Sequence, residues 1–115
     1  MRAGNYDIYI EQGATFRLSF VWKDSNGSPI DLRGCTARMQ LRYIYPEELI
    51  LTLTSADGDI AIGGVNGTVE MELTPDRTVP LEKNTGRYDL EIEYGEGEVV
   101  RLLEGRWYLS REVTR

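Results

Sequence analysis

Histidine is absent from the 115 residues, and cysteine occurs once. Without an imidazole the chain has no side chain that exchanges protons near neutral pH at its ordinary pKa, and the commonest metal ligand is missing too. That excludes most hydrolase chemistry, and no catalytic residue, cofactor or metal is expected. With Cys35 unaccompanied, no intrachain disulfide can form and nothing demands an oxidising compartment. No apolar run approaches the ~18 residues of a membrane-spanning helix, and the opening MRAGNYDIYIEQG lacks the apolar stretch of a secretory signal. The expectation is a chain that folds and stays soluble in the cytoplasm where it is made. Positive charge is also scarce: 13 Lys and Arg against 19 Asp and Glu leave a net charge of −6, which opposes binding to a phosphate backbone. Neither nucleic acid nor a membrane is expected as a partner.

What is present is a composition of globular type, with 41% hydrophobic and 28% charged residues. The length suits one domain spanning residues 1–115, able to bury about two thirds of its extended surface. Nearly every apolar run alternates with period two, the signature of half-buried strands. Tyr6, Ile8 and Ile10 form the first such run. Phe16, Leu18, Phe20 and Trp22 place four large side chains on one face of the next. Ala37, Met39, Leu41 and Tyr43 face inward on a third, with Arg38 and Arg42 outward. Leu49 to Leu53, Ile60 to Ile62 and Val69 to Leu73 read as a meander of three short strands separated by Asp57-Gly58 and Asn66-Gly67 turns. Thr74 followed by Pro75 marks a helical turn that Pro80 ends. Tyr88, Leu90, Ile92 and Tyr94 then point inward on a strand whose other face carries Asp89, Glu91 and Glu93, and Val99 to Leu109 closes the chain.

Seven or eight strands with one short helical turn predict an all-β fold, a small antiparallel immunoglobulin-like sandwich with short polar arms at both ends. Tyr88 stands where a tyrosine hydroxyl can reach an upstream backbone group and pin a corner of such a sandwich. Pairing the Arg38 and Arg42 strand with the Asp89, Glu91 and Glu93 strand would ladder opposite charges on the solvent face. The expected core includes Phe16, Leu18, Phe20, Trp22, Met39, Leu41, Leu90 and Ile92.

Candidate chemistry is thin. Asp57-Gly58-Asp59 could begin a calcium loop, but Ala61 and Gly63 stand where further oxygen ligands belong, so a turn is the better reading. Gly63-Gly64 has no lysine at phosphate-binding spacing. Cys35 has no imidazole partner to lower its pKa and leads into a strand, so a small core or half-buried residue is the better reading. The tyrosines and tryptophans could stack sugars, for which an exposed coplanar pair of rings would be diagnostic. The segment RYIYPEEL is different: Tyr43, Ile44 and Tyr45 are consecutive and cannot all face one core, so an aromatic ring is expected to point outward as a protein contact. With Arg111 and Arg115 of the C-terminal arm, these three form the expected partner interface.

The string VWKDSNGSPIDLRGCTARMQLR, with RYDLEIEYGEGEVVRLLEGRWYLSREVTR, resembles a family of short tailed-bacteriophage proteins. The shared features are Asp24, Gly27, Pro29, Ile30, Asp31, Leu32 and Gly34, then Ala37 to Gln40, then Gly97, Val99, Arg101 to Leu103 and Gly105. More remotely, the chain is similar to immunoglobulin-like N-terminal domains of phage baseplate and receptor-binding proteins. YIYPEELILTLTS departs most from the pattern. The resemblance implies a non-enzymatic virion structural protein, a tail, baseplate or fibre-attachment component docking on other phage structural proteins in symmetric copies. It implies location in the virion, with terminal arms that order on their neighbours. A capsid decoration or head-to-tail adaptor protein, or a carbohydrate-binding module, are the alternatives.

Overall fold

A computed structural model describes residues 4–113, and among them more than half lie in strands. The elements are β1 (Gly4–Asn5), β2 (Ile8–Glu11), β3 (Phe16–Val21), β4 (Thr36–Tyr43), β5 (Glu48–Thr54), β6 (Ile60–Ile62), a 3-10 turn (Gly64–Asn66), β7 (Thr68–Leu73), α1 (Pro75–Thr78), β8 (Thr85–Glu93) and β9 (Val99–Ser110). The larger sheet runs β1-β9-β8-β4-β5, with β2 also on β9, and the smaller runs β3-β7-β6. β1 and β2 lie parallel on β9, whereas the other pairings are antiparallel. Two packed sheets with the first strands parallel to the last form an immunoglobulin-like sandwich.

The described strands number nine rather than seven or eight because the first apolar run breaks at Tyr6-Asp7. Its exposed Tyr6 belongs to that break. The meander expected for β5, β6 and β7 does not form. β5 pairs with β4 in the larger sheet, and residues 55–59 carry the chain across to the smaller one, where β6 pairs with β7 and β7 with β3. The strand pairing expected from the charges does form, with one rung of the ladder: β4 and β8 are antiparallel, with Arg38 opposite Glu91 and Arg38 Nε 3.0 Å from its Oε1. Arg42, however, faces Arg87 rather than an acid.

Ile10, Leu41, Leu90, Ile92 and Trp107 are wholly shielded between the sheets, and Trp22 and Met39 join them. Phe16, Leu18 and Phe20 are only half-buried, because β3 is an edge strand of the smaller sheet and its inward side chains are open on one flank. Two residues after Tyr88, where an antibody-type sandwich has a disulfide cysteine, stands Leu90; apolar packing replaces the cross-link. In β9 the register slips between Leu90 and Glu91 of its partner, leaving Leu102 unmatched. That bulge reverses the parity, so Leu102 and Trp107 both turn inward, while Arg101, Glu104 and Arg106 share the outer face.

α1 is a single turn, as its TPDRT sequence predicts, but Thr74 does not cap it with its side chain. Its hydroxyl instead donates to the Asp76 carboxylate. The important threonine is Thr78, fully buried, whose Oγ1 accepts the Gly13 N–H at 2.9 Å. Its proton is shared between the Ala14 and Pro75 carbonyls, each 3.2 Å away, so it ties α1 to the β2–β3 turn.

Candidate docking surface

The Tyr43 to Tyr45 segment leaves β4 and turns toward β5. Tyr43 keeps the inward parity of Ala37, Met39 and Leu41 and is 6% exposed. Its hydroxyl accepts the Glu82 N–H at 3.0 Å, and its ring lies tilted against Trp107 with centroids 5.9 Å apart. Lys83 Nζ sits 4.9 Å above the Tyr43 ring and donates to the Tyr45 carbonyl at 2.7 Å. Tyr43 is therefore an architectural anchor rather than a docking ring, because the inward parity read for this strand holds to the last residue of β4. Ile44 is half-buried. Tyr45, beside a cis peptide bond to Pro46, is 87% exposed and is the ring that points outward.

Arg111 is exposed. Its Nε donates to Asn84 Oδ1 at 3.0 Å and its guanidinium also donates to the Glu82 carbonyl, so it is occupied by its own chain. Arg115 lies outside the described residues. The structure does bring Tyr43 and Arg111 together, but as two pins on the Glu82–Asn84 segment. The described parts of the arms are likewise ordered internally: Gly4 and Asn5 pair with Leu103 and Glu104, and the Glu112 N–H donates to Gln12 Oε1 at 3.0 Å.

Tyr88 reaches farther than a local corner. Its hydroxyl donates to the Tyr6 carbonyl, at the break between β1 and β2. The same break is held by the Tyr6 N–H on the Glu104 carbonyl at 2.9 Å and by the Arg106 N–H on Asp7 Oδ1 at 3.0 Å. Burial, reinforced by the Asp7 carboxylate, pushes the Tyr88 phenol up to about 12, so it stays a donor.

The outer face of the larger sheet carries an arrangement that no short motif announces. Register sets Arg42 opposite Arg87 and Arg87 opposite Arg106, a row of three guanidiniums across β4, β8 and β9. One step along, Gln40, Asp89 and Glu104 form the next row. Arg101 holds both acids there, at 3.6 Å from Asp89 and 3.6 Å from Glu104. Burial raises the Asp89 carboxyl above its ordinary value, with Arg101 opposing. These rows line an open groove of about 640 Å³. The signal in sequence was three outward arginines on three strands, legible only once the registers are known.

Other candidates resolve into the fold. Asp24 Oδ1 accepts the N–H groups of Asn26 and Ser28 at 2.9 and 3.0 Å, a turn that holds itself. Asp59 faces Arg77 at 3.6 Å. Burial, with Glu96 and Asp31 nearby, raises the Cys35 thiol and disfavours the reactive thiolate. Tyr9 and Tyr108 stack ring on ring with centroids 5.3 Å apart rather than side by side in one plane, so they form no flat platform for a sugar.

No family model matches the chain, and no curated protein matches it. Among solved structures it is similar to the extracellular domain of the voltage-gated sodium channel beta4 subunit, at 9% identity and a TM-score of 0.51. The likeness covers 98% of this chain and 97% of that one. That domain is described as forming parallel homodimers that explain a role in cell–cell adhesion. At such low identity the shared property is the immunoglobulin-like fold.

Proposed function

We propose that this chain is a non-enzymatic structural protein of a tailed-phage virion, a docking module of the tail, baseplate or fibre-attachment region present in symmetric copies. The observation that carries the reading is the use made of the residues that resemble phage proteins: several of them serve the sandwich itself. Asp24 closes its turn, and Leu32 is buried while its N–H donates to the Gly64 carbonyl at 2.9 Å. Asp31 pairs with Arg33 at 2.7 Å, and Met39 fills the core. Among the described residues Tyr9 and Tyr45 are the most exposed aromatic rings, at 70% and 87%, of the kind that protein contacts use. The adhesion homodimers of the sodium channel beta4 domain support a protein-contact role for a sandwich of this build.

Mass spectrometry of purified particles tests the proposal, with tails and heads fractionated separately. The chain is expected in the tail fraction in fixed stoichiometry. Recovery from heads favours a decoration or adaptor protein, and absence from particles while the protein accumulates in infected cells overturns the virion reading.

A further inference from the structure

We propose that the arginine row on the outer face of the larger sheet seats an acidic, extended segment of a partner protein. Arg42, Arg87 and Arg106 stand directly opposite one another on adjacent strands. At a strand spacing of about 4.8 Å the row is about 10 Å long. Like charges placed opposite each other destabilise a sheet, so the free domain bears a cost that a bound carboxylate would relieve.

The row is only partly answered from within. Arg42 has Glu47 at 3.8 Å and Gln40 at 3.2 Å. Among the described residues, neither the Arg87 nor the Arg106 guanidinium has a carboxylate at ion-pair distance. The nearest row of acids is already occupied by Arg101. Two arginines without a carboxylate partner, at directly opposed register positions and lining an open groove, match carboxylates that each accept a two-pronged hydrogen bond. Alternate side chains of an extended segment lie about 7 Å apart, so two acids at i and i+2 fit within the row.

The wider field selects the class of partner. Asp7, Glu47, Asp89 and Glu104 line the same groove and the chain carries −6 overall, which repels a long phosphate backbone while leaving a local seat for a few carboxylates. The proposal rests on reading the chain as a docking module, not on residence in a virion.

Fluorescence anisotropy with a labelled peptide alternating glutamate and threonine tests it at low ionic strength. The unaltered chain is expected to bind. The Arg87→Thr/Arg106→Thr variant should bind at least about tenfold more weakly, while melting at the same or a higher temperature because the like-charge contact is relieved. Arg17→Thr/Arg33→Thr removes the same charge elsewhere and should bind as the unaltered chain does. Equal loss in that control, failure of the unaltered chain to bind, or equally tight binding of labelled oligothymidylate each overturns the proposal. Absence of the chain from particles leaves this experiment unaffected, so the two readings fail separately.

Discussion

Gly86 shows how narrowly one residue can be constrained. It lies in β8 opposite Trp107, and a Cβ there would stand 2.1 Å from the Arg42 carbonyl oxygen and 2.5 Å from the indole Nε1. That Nε1 donates to the same carbonyl at 3.3 Å, so neither neighbour can withdraw without losing the bond. Gly86→Ala is expected to destabilise by about 1–3 kcal/mol through overpacking, read as a lower urea midpoint with unchanged slope. The two tyrosines of the β4–β5 loop should separate just as clearly. Tyr43→Ser empties a site against Trp107 and strands the Glu82 N–H, at about 3–5 kcal/mol. Tyr45→Ser, on an exposed ring, should change stability by no more than about 0.5 kcal/mol. Equal losses for the pair would mean Tyr43 is not buried as described.

Among the elements, the N-terminal strands depend on a side chain from β8. Gly105 lets the Tyr6 carbonyl pass close over β9, since a Cβ there would lie 2.4 Å from that oxygen, and the Tyr88 hydroxyl meets the same oxygen. The folded phenol titrates near 12 and the unfolded one near 10. Between these values the native state holds a proton that the unfolded chain has released, so this contribution is complete below about pH 10 and is lost as pH rises toward 12. After allowance for solvent screening at the hydroxyl, roughly 1–2 kcal/mol should disappear over that window. Denaturant titrations across it should show the fall, and Tyr88→Phe should flatten it. A slope unchanged in the variant would assign the alkaline loss to another group.

For the molecule as a whole, connectivity governs how it folds. Gly4 pairs with Leu103 and Ile8 with Trp107, so the larger sheet closes only when opposite ends of the chain meet. Such non-local pairing places folding in roughly milliseconds to seconds rather than microseconds. Stopped-flow tryptophan fluorescence should show it, since Trp22 and Trp107 both lie in the core. A microsecond phase carrying the full amplitude would contradict this closure.

The sequence alone determined what depends on near neighbours. Period-two alternation marked the principal strands, and Gly27, Gly58 and Gly67 occupy turns at positive φ as their dipeptides require. Complementary charge foretold that β4 lies beside β8, because that pair has few ways to satisfy Arg38 and Glu91. Only the tertiary structure decided which sheet β5 joins, since alternation specifies a buried face and not the strand beside it. It also decided that β1 and β2 run parallel to β9 and that Phe16, Leu18 and Phe20 stay half-open on an edge. For the candidate surface the division is the same. That an aromatic of the β4–β5 loop must face outward followed from three consecutive apolar residues, and period-two parity put Tyr43 inward, but that Tyr43 anchors Trp107 and the Glu82 N–H came only from the tertiary structure. The arginine row arises from registers across three strands, and register is fixed by how the whole sheet packs rather than by any segment of the chain.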